Sequence, residues 1–374
     1  MLTVLSIAEV TALIRARFGS LHMPAETIET GQARGRILAE PVMAQPYVPD
    51  FTRSTVDGYA VIAADVFGCS ESIPALLTRI GEVGMGVHTE LELHSGECAY
   101  VHTGSELPRH ADAVVMLEYV EELDGDRIAV NQPCAPGANL IFRGDDVKPG
   151  VEVLLAGRRL NAADIGSLAA LGLPAVAVRI PPRVAVLSTG DELVPAQEPL
   201  PPGKIHDINA PLLSAAVAEA GGSARFYGIL KDDAGLIQQA AADAIPECDL
   251  LLISGSTSVG VRDAVPQVIS SLGELLVHGV AAKPGKPTAL GVIQGKLVFG
   301  LPGNPMAAFF MFYLLVRPLL FSLLAAPLNE ETFSATLTRA VPSNQGREEF
   351  VPVRLRSGRA DPISAKSGLI TSLS

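Results

Sequence analysis

The hydrophobic pattern changes character along the chain. Apolar residues recur at helical spacing from Ser6 to Phe18, with charges between them, which predicts an amphipathic helix. From about Gln45 to Asp145 the apolar runs shorten and alternate. "SGECAYVHTG", "DAVVMLEYVEEL" and "DRIAVNQPC" are separated by Gly, Pro and Asp-Gly turns, the texture of a β-rich module. "DVKPGVEVLLAGRRLNAADIGSLAALG" then predicts a turn, a strand and a helix, with Asn161 as the N-cap.

A different regime starts at "PPRVAVLSTGDEL". Aliphatic runs over 184–187, 225–229, 250–253, 275–280 and 297–299 read as strands. Helical patterns over 211–220, 234–245, 263–272 and 306–324 alternate with them. Such alternation predicts an α/β layer with a mostly parallel sheet. The last helix is the most apolar stretch, but Arg317 and Pro318 interrupt it before the ~20 residues a membrane span needs. It is expected as a core helix kinked at Pro318. Past Ala325, "FSATLTRAV" and "EEFVPVRLRS" turn β-like again and predict a small C-terminal β module.

Composition narrows the ligand classes. The 374 residues suggest two to four domains, and 48% hydrophobic with 18% charged residues describes a well-cored chain. The net charge of -12 argues against nucleic-acid binding, which demands a basic face. An anionic small ligand then needs local donors, such as backbone N–H groups, a few lysines or a divalent cation. Cys69, Cys98, Cys134 and Cys248 form no Cys-x-x-Cys pair, so neither a zinc knuckle nor a disulfide framework is expected. Reduced cysteines fit a cytoplasmic protein. The N-terminus lacks a basic segment followed by an unbroken apolar core, so no signal peptide is expected.

Three small-residue loops directly follow predicted strands: "STGDEL", "SGSTSVGVRD" and "LPGNP". In an open parallel sheet such loops converge on the carboxyl edge, where ligands bind. Gly255 and Gly260 permit close backbone approach, and Ser254, Ser256, Thr257 and Ser258 add hydroxyls. The helix that follows points free N–H groups at the loop, which suits phosphate. The same residues also serve as ordinary helix caps, and the loop alone does not separate the two readings. A Walker A loop is excluded because Val261-Arg262 stands where Gly-Lys should continue. A hydrolase elbow is excluded because Ser258 lies outside a G-x-S-x-G frame. "AKPGKP" adds Lys283 and Lys286 in a loop stiffened by proline, which suits an anion between two cations. Asp57, Asp146, Glu192, Asp232 and Asp263 fall in predicted loops or at element ends. Asp207 and Asn209 precede a helix, with Asn209 its expected N-cap.

Taken in order, these stretches resemble the molybdopterin molybdenumtransferases, the MoeA-like family related to the gephyrin E domain. The stretches are "STVDGYAV", "HTGSELPRHADAVVMLE", "NLIFRGDDVKPG", "PRVAVLSTGDELV", "GKIHDIN", "DLLLISGSTSVGVRD", "HGVAAKPGKPTALG", "GLPGNPMAA", "GREEFVPV" and "SGLITSL", collinear over nearly the whole chain. The resemblance implies insertion of molybdenum from molybdate into adenylylated molybdopterin, with release of AMP, by a Mg²⁺-dependent homodimer. It implies a molybdopterin adenylyltransferase and molybdoenzymes as partners. The alternatives are a tungstate-inserting homologue and a non-catalytic molybdopterin-binding scaffold.

The implied fold is multidomain α/β with β-rich modules. It comprises a helical/linker domain (1–45 and 146–180), an inserted β domain (46–145), an adenylyltransferase-like α/β domain (181–327) and an incomplete C-terminal β domain (328–374). The resemblance makes Asp57, Glu192, Asp232 and Asp263 catalytic, with Asp232 and Asp263 the candidate Mg²⁺ ligands. Asp57 is assigned to orient the dithiolene or to manage protons. Thr103, Asp146, Thr189, Gly190 and the Ser254–Gly260 loop would bind substrate. Lys283 and Lys286, with Arg347 and Ser367, would hold molybdate. Pro302, Gly303, Asn304 and Pro305 would shape the loop beside it. Two departures stand out: Ser256 replaces the family's usual glycine, and Val261 an acidic or polar residue.

Overall fold

The computed structural model describes residues 4–255, 264–343 and 346–363. These fall into two compact units. One contains residues 41–155 and 166–174, and the other contains 1–40, 156–165 and 175–374.

The first unit is built on a six-stranded sheet. Its order is Ala113–Met116, Gly58–Val61, Glu97–Val101, Ala75–Val83, Arg127–Val130 and Val120–Glu122. All neighbours are antiparallel except Ala75–Val83 with Glu97–Val101. Alternation along the central strands serves two cores. Tyr59, Val61 and Cys98 face one, and Ala60, Ala99 and Val101 the other. Because both faces are covered, "GYAV" is buried throughout.

The second unit opens with the expected helix, Ile7–Phe18. Ser6 caps it reciprocally with Glu9, and Val10, Ile14 and Phe18 make its buried stripe. Asn161 and Asp164 form a similar reciprocal cap on the helix Ala162–Ala170. A two-stranded antiparallel ribbon pairs Ala25–Glu29 with Ala175–Arg179.

The α/β layer has six strands in the order Ser223–Leu230, Arg183–Thr189, Leu250–Ser254, Lys296–Leu301, Ala289–Ile293 and Glu274–His278. The first four run parallel. Ala289–Ile293 is antiparallel to both of its neighbours. That strand escaped the sequence reading because its five residues follow a proline-lysine loop closely. Gln294 and Gly295 both have positive φ and close a two-residue hairpin to Lys296–Leu301.

Alternate strand residues feed opposite faces. Val184, Val186, Leu250, Leu252 and Phe299 pack with the helix Asn209–Glu219 and the long apolar helix. Ala185, Leu187, Leu251, Ile253 and Val298 pack with Ala234–Ala244 and Ala264–Leu272. A sheet buried on both faces reads as continuous aliphatic runs, as these strands do. The long apolar helix runs from Pro305 to Leu323 and is apolar enough to cross a membrane, but 56% of it is buried inside the protein. Its irregularity differs from expectation. A wide π turn over Phe312–Val316 precedes Pro318, which lies in the first turn of Arg317–Leu323. The widened turn accommodates the missing proline N–H and the ring's demand on the preceding turn.

Toward the C-terminus, Ala282–Lys283 pairs in parallel with Glu348–Glu349. A three-stranded sheet joins Thr336–Leu337, Arg359–Pro362 and Val353–Arg356.

Candidate functional site

The strands Arg183–Thr189 and Leu250–Ser254 are neighbours whose onward connections diverge. The chain leaves the first for Ser223–Leu230 on one side and the second for Glu274–His278 at the far edge. Where connections diverge, no crossover closes over the strand ends, and a crevice forms. Thr189 and Ser254 end the two strands and line a cleft of 490 Å³.

Glycines let the backbones meet there. Gly255 has φ +129°, and a Cβ on it would overlap the Thr189 carbonyl oxygen. A Cβ on Gly303 would lie 3.4 Å from the Gly255 Cα. The Gly255 N–H donates to the Leu301 carbonyl at 3.2 Å, which ties the second and third predicted loops together. Gly190 donates its N–H to Leu230 O at 3.0 Å. Pro302, Gly303, Asn304 and Pro305 form one wall. The Asn304 side chain accepts from the Ala307 N–H at 3.2 Å, capping the helix that Pro305 begins. Glu192 and Asp232 line the cleft too, with Glu192 exposed at its rim.

Asn209 departs from expectation. It lies inside the first turn, and Asp207 does the capping. Asp207 Oδ1 accepts from the N–H groups of Asn209 (3.0 Å) and Ala210 (3.2 Å). The freed Asn209 amide donates from Nδ2 to Ser254 Oγ at 2.6 Å and to Gly303 O at 2.9 Å. It therefore bridges two of the three loops. Asp207, Asn209 and the adjoining His206 all line the cleft, and the sequence reading had placed none of them in the site.

Buried polar atoms nearly always have a hydrogen-bond partner. Among the described residues seven buried side-chain atoms lack one, and four of these belong to cleft residues: Thr189 Oγ1, Asp207 Oδ2, Asn209 Oδ1 and Asp232 Oδ1. Four desolvated polar atoms around one cleft fit a polar ligand better than they fit a packing role.

The lysine loop has a different character. Lys283 Nζ donates to Glu349 Oε1 at 2.8 Å, so part of its charge is already engaged within the fold. Lys286 is half-buried and Arg347 exposed. In the β-rich unit, Asp57 Oδ1 accepts from the Thr103 N–H at 2.7 Å and from its hydroxyl at 3.2 Å. This pairs two predicted site residues 46 positions apart. His102 stands beside them, 3.9 Å from Asp57 and 3.1 Å from Glu82. Asp146 is exposed, and its N–H donates to Val48 O. Ser256, Thr257, Ser258, Gly260, Asp263 and Ser367 lie outside the described residues.

No three His, Cys, Asp or Glu side chains gather around a cation position among the described residues. Mg²⁺ does not require that, since it commonly takes one or two carboxylates and completes its shell from water and phosphate. Asp232, with its unpartnered buried oxygen, fits such a ligand. Burial also disfavours the thiolate form of the cysteines. It pushes Cys98 up to about 12 and Cys134 up to about 11, so both stay protonated at neutral pH.

An open α/β sheet with a crevice at its switch point is the architecture that takes small ligands at the carboxyl ends of its strands. Residues 5–172 match the MoeA N-terminal region (domain I and II), 185–322 a probable molybdopterin binding domain, and 334–374 the MoeA C-terminal region (domain IV). A putative molybdopterin biosynthesis protein of Methanocaldococcus jannaschii is 35% identical over 92% of this chain and 85% of its own length. The molybdopterin molybdenumtransferase of Bacillus subtilis is 34% identical over 90% of this chain and 81% of its own. The crystal structure of a molybdopterin biosynthesis MoeA protein from Pyrococcus horikoshii OT3 superposes with TM-score 0.84 at 34% identity, covering 99% of this chain and 93% of that one. The chain belongs to the MoeA-like molybdopterin molybdenumtransferase family.

Proposed function

We propose that this chain inserts molybdenum from molybdate into adenylylated molybdopterin and releases AMP, acting as a cytoplasmic homodimer. One observation carries the reading. The segment similar to a molybdopterin binding domain, 185–322, holds the switch-point cleft and its four unpartnered buried polar atoms. The names of the relatives support the reaction class.

The residues divide the work by charge. Both substrates are anionic, so carboxylates beside them are unfavourable unless a cation or an N–H donor meets each one. Asp232 would hold Mg²⁺, an ion that screens phosphates and polarises a phosphoanhydride when bound. Glu192, at the rim, would stay solvated until substrate covers it. Lys286 and Arg347 would supply the charge for molybdate, with Lys283 sharing its own between the oxyanion and Glu349. Asp57 has one oxygen fixed by Thr103, which orients the carboxylate and leaves the other oxygen for the dithiolene or a proton. A molybdopterin adenylyltransferase would supply the substrate, and molybdoenzymes would take the product.

The test is direct. Purified protein is incubated with adenylylated molybdopterin, molybdate and Mg²⁺, and AMP is measured by chromatography. The expected result is AMP release that needs Mg²⁺ and cofactor able to activate an apo-molybdoenzyme. Substrate bound tightly with no AMP released would overturn the transferase reading.

A further inference from the structure

The cleft's unpartnered atoms are not a random set of polar groups, and their chemistry can be assigned. Asn209 is 7% exposed, and its amide orientation is fixed by its partners. Gly303 O is a carbonyl and can only accept, so the atom 2.9 Å from it must be the NH₂ group. Asn209 Oδ1 is therefore left as an acceptor with no partner. Asp207 is 6% exposed. Its Oδ1 is occupied by two N–H groups of the first helical turn, which leaves Oδ2 unpartnered. These two residues, separated by one position, both line the cleft, and each keeps a buried acceptor oxygen without a partner.

Acceptors repel phosphate and molybdate oxygens and attract N–H groups. We infer that Asp207 and Asn209 read the N–H donor edge of the substrate's heterocycle, the 2-amino group and ring N–H of a 2-amino-4-oxopterin. This rests on the transferase reading above and adds which corner of the cleft takes which end of the substrate. The phosphates then belong elsewhere along the cleft. Thr189 Oγ1, a hydroxyl that both donates and accepts, is also unpartnered there and suits the neighbouring 4-oxo group. A buried acceptor pair is costly without a donor, so it discriminates strongly against an analogue that lacks one.

The experiment uses the full-length protein and two fluorescent probes, pterin and lumazine. Lumazine carries an oxo group where pterin carries the 2-amino group. The wild type is expected to bind pterin at least about tenfold more tightly. Asp207→Asn is isosteric and keeps an oxygen for the Asn209 and Ala210 N–H groups, but turns an amide NH₂ toward the cleft. It should remove or reverse the preference with Tm unchanged. Asn209→Leu should also remove it, and Asp207→Asn keeps the test valid if that variant misfolds. Equal binding of both probes by the wild type, or binding of neither, overturns the inference. So does an unchanged preference in Asp207→Asn, or a loss in that variant of Mn²⁺ binding instead of pterin preference. AMP release by the wild type is scored separately. Release without pterin preference defeats this inference alone, whereas absence of release defeats the transferase reading.

Discussion

The two edges of the α/β sheet treat their polar groups in opposite ways. At the amino edge the charged groups of Arg183, Asp249 and Lys296 all have partners. The Arg183 guanidinium and backbone N–H both donate to the Asp249 carboxylate. Lys296 Nζ donates to the carbonyls of Ile245, Pro246 and Cys248, closing off the end of the helix Ala234–Ala244. At the carboxyl edge Thr189, Asp207, Asn209 and Asp232 keep buried atoms without partners. Satisfied networks hold a fold together, and unsatisfied ones wait for a ligand. Mutations should therefore separate stability from activity according to which edge they touch.

The largest expected effect is at a position where the carboxyl edge is held by direct backbone contact. Gly255→Ala places a methyl group on the Thr189 carbonyl at φ +129°. The two strand ends must part, at a cost of roughly 2–4 kcal/mol. Urea unfolding should show a lowered midpoint, and AMP release should vanish with it. A stable, active Gly255→Ala would mean that the strand ends need not touch.

Asp232→Ala should next separate the two properties. Its Oδ1 has no partner to lose, so stability should hold or rise by up to about 1 kcal/mol. Turnover should fall about 100-fold or more if the carboxylate holds the cation. Parallel urea curves and AMP assays would check this. A variant both destabilised and active would return Asp232 to an ordinary structural role.

How far the site was legible follows from the same contrast. "STGDEL", "SG" and "LPGNP" announce themselves because close backbone approach needs small residues directly after strands, and the structure brings Thr189, Gly255 and Gly303 to one cleft. Asp207 and Asn209 gave only a helix-start signal, since capping and ligand recognition draw on the same residue types. Only the fold reveals that one caps while the other reaches Ser254 and Gly303. Lys283 looked like a free cation because its partner Glu349 lies 66 residues further on. Loop texture is local and readable; pairing across the fold is not.

A smaller effect is expected at the amino edge from Lys296→Met. Three carbonyls would lose a charged donor while solvent reaches part of the gap, a loss of about 1–3 kcal/mol. AMP release per folded molecule should stay at the wild-type level. Impaired turnover in a correctly folded variant would show that the two edges are coupled.

The smallest effect isolates the ion pair itself through pH. Burial alone would raise the Asp249 carboxyl, but hydrogen bonds from the Arg183 side chain and backbone outweigh it. With the charges of Arg183 and Lys296, they hold the group below its ordinary value of 3.8. A depressed carboxylate stabilises the fold fully above its unfolded value, and that contribution is lost as pH falls through the folded one. Wild-type protein should therefore lose stability between about pH 5 and about pH 2 more steeply than Asp249→Asn, which has no proton to take up. The two curves should converge toward the acid end and separate toward neutrality, with the wild type the more stable. Parallel curves across that window would mean that the amino edge is held by packing rather than by its ion pair, and the contrast between the two edges would then rest on Lys296 alone.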